Sequence, residues 1–161
     1  MDNQLSFAEI ITNIWWVYNP SIITFNQSHK DLISQICTYH NIQEIIKIDT
    51  LIPFWKKTSQ YVPVIQQQIN NNDHLQLYDV LNNICNKLTY NYLNGIPTLI
   101  ISIYNNDVGI ANIIFFYAKN MNSDIKNIDI IYESLSYKII NIPKLTTRIR
   151  QFFISISHNF G

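Results

Sequence analysis

Apolar residues recur at helical spacing along most of this chain. Phe7, Ile10, Ile11, Ile14, Trp15 and Tyr18 fall at i, i+3, i+4 and i+7, which predicts a first helix over about Leu5–Tyr18. Ser6 and Glu9 could form its capping box, and Asn19-Pro20 stops it. A second helix starts at Ser28. Leu32, Ile33, Ile36 and Cys37 form its buried stripe, continuing less clearly through Ile42, Ile45 and Ile46. Pro53 and Pro63 suit first helical turns, so two short helices are expected near 52–60 and 62–70. From Asp73 a longer stripe runs through Leu77, Tyr78, Leu81, Ile84, Cys85, Leu88 and Tyr92. It ends at Asn94-Gly95-Ile96-Pro97, where Gly95 supplies a left-handed cap.

Pro97 to Tyr104 then reads as a short helix, and Asn105-Asn106-Asp107 as a turn and N-cap. The segment Asp107–Ala118 differs from the others because it is apolar on nearly every face. Such a helix must be buried, and at about a dozen residues it falls short of the ~20 that a bilayer requires. Ser123 and Asp124 open an amphipathic helix with Ile128, Ile131, Leu135 and Ile139 inward. Pro143 opens the last, with Leu145, Ile149, Phe152, Phe153 and Ile156. The expectation is one all-α domain over residues 1–161, a bundle of seven or eight helices around a buried central hydrophobic helix.

Composition narrows the function classes. Eleven basic and eleven acidic residues cancel, so nothing draws the chain electrostatically to nucleic acid or an anionic membrane. Only 14% of residues are charged, against a usual ~25%, so partners are expected to engage through apolar contact. About one residue in five is Ile, Asn is abundant, and Ala and Gly are scarce, the mark of an A+T-rich coding genome. This bias places many Ile in helices despite their strand preference, so periodicity is weighted above propensity. No signal peptide is visible, which leaves the Asn26-Gln27-Ser28 glycosylation tripeptide without weight.

A search for chemistry yields no catalytic set. Cys37 and Cys85 lack CxxC spacing and read as reduced, buried thiols. His29, His40, His74 and His158 have no metal-ligand spacing. Cys37 and His40 share a helix face, but Cys37 belongs to the apolar stripe. Asp129 and Glu133 read as solvated charges, as do Lys144, Arg148 and Arg150. No Gly-rich phosphate loop exists, the glycines being Gly95, Gly109 and Gly161 alone. No enzyme activity, metal or cofactor is expected, and a binding protein is the working class.

The segment Ile96–Met121 resembles the BH1 region of the Bcl-2 family, in which a polar turn leads into an apolar helix carrying N-W-G-R. Here the residues read Asp107-Val108-Gly109-Ile110, so Gly matches and an acid stands in for Asn. Helix order, the Leu32–Cys37 stripe and Leu77-Tyr78-Asp79 look most like the divergent poxvirus apoptosis inhibitors of the myxoma type. The resemblance implies a groove that sequesters BH3 helices of host proteins of the Bim, Bak, Bax and Puma class. Its walls would be Tyr61, Ile65, Ile69, Leu77, Leu81 and Ile84, and its floor Ile100, Ile103 and Tyr104. Gly109, Ile110, Ile113 and Tyr117 would come from the central helix, Gly109 allowing the ligand helix close. Ile110 stands where the family places an Arg, so binding is expected to depend more on apolar burial, unless Lys56, Lys57 or Lys87 substitutes for its charge.

The alternative within that fold is an antagonist of innate, NF-kB-type signalling acting through a helical surface. A second copy of the chain is a further partner to consider. The implied location is the host cytoplasm, or the mitochondrial outer-membrane surface where a C-terminal anchor has been removed.

Overall fold

The structure, a computed structural model, describes residues 5–18, 27–48, 64–66, 74–102, 107–121 and 123–159. Its centre is a sheet. Among the described residues five strands occur in chain order: β1 (Ser6–Ile11), β2 (Ile14–Tyr18), β3 (Glu44–Lys47), β4 (Val64–Gln66) and β5 (Thr98–Ser102). They lie side by side as β1-β2-β5-β3-β4. β2, β5, β3 and β4 are parallel, and β1 is the antiparallel edge. The helices are α1 (Gln27–Tyr39), α2 (His74–Leu93), α3 (Asp107–Asn120), α4 (Ile128–Lys138) and α5 (Thr147–Asn159), with a 3-10 turn at Ile125–Asn127.

The expected all-α, Bcl-2-like bundle is therefore corrected to an α/β fold. The first predicted helix is a hairpin. Thr12 and Asn13 connect β1 to β2, and Asn13 takes the left-handed conformation, φ 69°, that a tight hairpin asks of it. The register slips between Glu9 and Ile11, a bulge that places both Ile10 and Ile11 in the interior. The tail predicted for the second helix is β3. The predicted helix from Pro97 to Tyr104 is β5, the middle strand, buried at every residue from Thr98 to Ser102. A parallel strand covered on both faces shows no alternation, only a continuous apolar run. The short helix expected near 52–60 lies outside the described residues. Of the one expected near 62–70, the described part, 64–66, is a strand.

Two apolar clusters divide the molecule into layers. On one side of the sheet, Val17, Ile45, Leu99 and Ile101 pack with Ile33, Ile36 and Cys37 of α1. On the other, Trp16, Tyr18, Ile46 and Ile100 pack with α2, α3, α4 and α5. Successive residues of β5 thus serve opposite layers, as the pleat requires. Of the expected helices, α1 (without its predicted tail), α2, α3, α4 and α5 are present. Gly95 adopts φ 65° after α2, and the Asp124 side chain accepts from the Lys126 N–H at 3.0 Å. α3 is buried nearly all round because it lies between the sheet and its neighbouring helices.

Candidate functional site

Parallel strands deliver all their C-terminal ends to one edge of a sheet, where an open α/β fold binds its ligands. Here that edge carries Tyr18 at the end of β2, Lys47 of β3, Gln66 of β4 and Ser102 of β5. Five residues after Ser102, α3 begins at Asp107. Helix N-termini present free N–H groups and the positive end of the helix dipole to such an edge.

The junction of β5 with α3 is close-packed. A Cβ placed on Gly109 would lie 1.8 Å from the Ser102 Oγ and 2.9 Å from its Cβ. Gly109 does permit a close approach, as expected, but the neighbour is the chain's own β5 and not a ligand helix. Tyr18 pairs with Ser102 in the register of β2 and β5, and its hydroxyl donates to the Ile140 carbonyl. Burial pushes that phenol up to about 12, so it stays protonated. Lys47, at the end of β3, is 1% exposed.

The opposite edge of the sheet holds a polar cluster. The Asn91 amide donates to Glu44 and, at 3.0 Å, to Thr98, whose hydroxyl donates to the Ile96 carbonyl. Lys87 forms an ion pair with Glu44 at 3.2 Å. These contacts bind α2 to the starts of β3 and β5.

Neither cysteine lies on the described part of the strand-end edge. The chain has two cysteines, and both are buried elsewhere. Cys37 sits in the α1 layer, across the sheet from α3, and burial pushes its thiol up to about 11. Cys85 lies within α2. Burial raises its pKa against the opposing effects of Lys119 and a contact with Thr89. Reactive cysteines need the reverse, a depressed pKa and access. From Leu88 to Ala118 the sequence contains no Cys, His, Lys or Arg, and its one charged residue is Asp107. No group of three or more metal-ligating side chains occurs among the described residues.

The residues expected to form a BH3 groove fall as follows. Leu81, Ile84, Ile100, Ile110, Ile113 and Tyr117 are all buried in the single cluster between sheet and helices. Gly109 is buried against Ser102, Leu77 lies in α2, and Ile65 lies in β4. Tyr61, Ile69, Ile103 and Tyr104 lie outside the described residues, as do Lys56 and Lys57. The six residues buried in that cluster, read as groove, line the interior of a sheet–helix sandwich. The strand-end edge was missed because β5 was read as helix. The signal was its β-branched run bounded by Pro97 and Asn105-Asn106.

No protein-family model matches the sequence, and no curated protein matches it by sequence. Solved structures do match in fold, and the class they define is that of the tyrosine and dual-specificity phosphatases. A Cydia pomonella PTP-2 phosphatase aligns with TM-score 0.67 and 13% identity, over 93% of this chain and 89% of its own. A mouse putative dual specificity phosphatase aligns with TM-score 0.63 and 9% identity, over 96% and 90%. A human tyrosine phosphatase-like serine/threonine/tyrosine-interacting protein aligns with TM-score 0.59 and 11% identity, over 96% and 97%.

These matches overturn the Bcl-2 resemblance, and with it the reading of an apoptosis inhibitor that binds helices of the Bim, Bak, Bax and Puma class. The alternative of a Bcl-2-fold signalling antagonist falls with the same fold. The expectation of no enzyme is set against the same matches, since the solved structures that share this fold include phosphatases.

Proposed function

We propose that this protein is phosphatase-like and engages phosphorylated proteins at the strand-end edge where β5 passes to α3. The observation that carries the reading is a likeness to phosphatase structures extending over more than nine-tenths of the chain. The parallel strands and the start of α3 support it by meeting where such a fold takes its ligand.

The chemistry of this chain restricts how it would act. A cysteinyl-phosphate intermediate is not its route, because Cys37 and Cys85 are buried away from the start of α3. The absence of any Lys or Arg between Lys87 and Lys119 leaves backbone N–H groups, hydroxyls and Asn amides of that stretch as the hydrogen-bond donors to a phosphoryl group. This favours holding a phosphorylated side chain over rapid turnover at that junction.

Binding and hydrolysis should be measured together on phosphotyrosine, phosphothreonine and phosphoserine peptides. Calorimetry should give affinity at least tenfold above that of the unphosphorylated peptides, with phosphate release followed in the same samples. Preference for phosphopeptides without release assigns recognition, and release assigns hydrolysis by a route other than a thiolate. Equal binding of both peptide forms, with no phosphate released, overturns the proposal.

A further inference from the structure

α3 borders a different surface at each end. Asp107 opens it at the strand-end edge, and about 16 Å further along its axis its last turns border a separate cavity. This cavity, about 310 Å³, lies between α2, α3, the 3-10 turn and α5. Its size is at the lower end of small-molecule pockets, roughly 300–1,000 Å³.

The lining is divided by chemistry. Phe115, Ala118, Ile125 and Ile156 supply an apolar floor, and the Tyr78 ring stands edge-on to Phe115 at 6.3 Å between centroids. Asn82, Lys119 and Ser123 supply the polar side, and Lys119 is the one charged residue of the lining. The Lys119 ammonium is exposed and donates to the Asn86 side chain at 3.3 Å. An ammonium has three donors, so this contact leaves room for a second acceptor. The nearest carboxylate along the chain, Asp124, lines the adjoining cavity and caps the Lys126 N–H.

We propose that this cavity is a binding site for a small amphipathic carboxylate. The apolar body lies on Phe115, Ala118, Ile125 and Ile156, and the carboxylate accepts from Lys119 with Asn82 and Ser123 beside it. The site is separate from the strand-end edge and does not depend on phosphoryl engagement there.

Octanoate and octylammonium, of the same apolar length and opposite charge, test it on the full chain. Amide NMR titration should show octanoate shifting Phe115, Ala118 and Ser123 while Ser102 stays unmoved. Lys119→Met keeps the stem, removes the charge and should weaken octanoate about tenfold. Lys119→Glu should reverse the preference toward octylammonium. Asn82→Trp, a change at a half-exposed position, should exclude both. Equal binding of the two probes to the unaltered protein, shifts elsewhere than this lining, or unchanged affinity in Lys119→Met overturns the assignment. Lys119 and Asn82 are not core positions, so these variants retain the fold, checked by circular dichroism.

Discussion

Gly109 and Ser102 occupy space that leaves no room for a side chain between them: a Cβ on Gly109 would meet the Ser102 hydroxyl at 1.8 Å. The first turn of α3 is thereby seated on the end of β5. Gly109→Ala should destabilise the protein by about 1–3 kcal/mol through overpacking, partly offset by the ~1 kcal/mol gain in helix propensity. Ser102→Ala alone should not restore the loss, because the Ser102 Cβ is itself only 2.9 Å away. Ser102→Gly should recover more of it. Urea midpoints of the single and double variants give the coupling directly, and additive effects would refute the contact.

The polar cluster at the other edge makes a ranked prediction. Asn91 is fully buried and serves both Glu44 and Thr98, so Asn91→Ala strips a partner from each. It should cost about 1–3 kcal/mol. Lys87 is 40% exposed at its side chain, and Lys87→Ala should cost less, about 0–1 kcal/mol. Equal losses in chemical denaturation would contradict this order.

The thiols should be silent in the native state. Cys37 and Cys85 are buried, and both pKa values are raised by burial. A disulfide-exchange reagent at pH 7.5 should label neither until denaturant is added. The sign of the alkaline effect follows. Cys37 holds its proton in the folded state to about 11 but releases it near its ordinary value of 9.0 when unfolded. Between these values the unfolded chain binds fewer protons, so stability is intact below pH 9 and falls as pH rises toward 11. Tyr18, raised from 10.0 to about 12, extends the same decline upward. Rapid native labelling of either thiol, or stability rising over pH 9–11, would show the burial argument to be wrong.

The sequence made the helices legible where one face is polar. In α4 and α5, the residues expected inward, Ile128, Ile131 and Leu135, then Ile149, Phe152, Phe153 and Ile156, are the buried ones. The start of α3 at Asp107 and the cap at Gly95 were legible from turn chemistry. The strands were not, for a physical reason. In β2, where every residue is Ile, Trp, Val or Tyr, positions at i+2 and at i+3 or i+4 are apolar alike, and periodicity cannot choose between them. Leu5–Tyr18 met the helical template and is a hairpin. β5, buried on both faces, had no alternation to display. The strand-end edge was hidden twice, by the strand misreading and by a β5–α3 junction whose sequence has no thiol, imidazole or cation. Gly109 was singled out for close approach, a property that the sequence conveys without naming the neighbour.

The hairpin itself offers the sharpest check on that misreading. Asn13 sits at φ 69°, its N–H donates to the Glu9 carboxylate at 3.1 Å, and its carbonyl accepts from Thr98 N–H at 2.9 Å. The turn therefore anchors the first residue of the central strand. Glycine adopts this conformation without strain, so Asn13→Gly should change the melting temperature little. Asn13→Val must place a β-branched side chain in the left-handed region and should cost about 1–2 kcal/mol. A helix over Leu5–Tyr18 would respond in the opposite sense, since Gly is then the worse helix former and Val the better. The order of the two melting temperatures thus distinguishes hairpin from helix without any further structure determination.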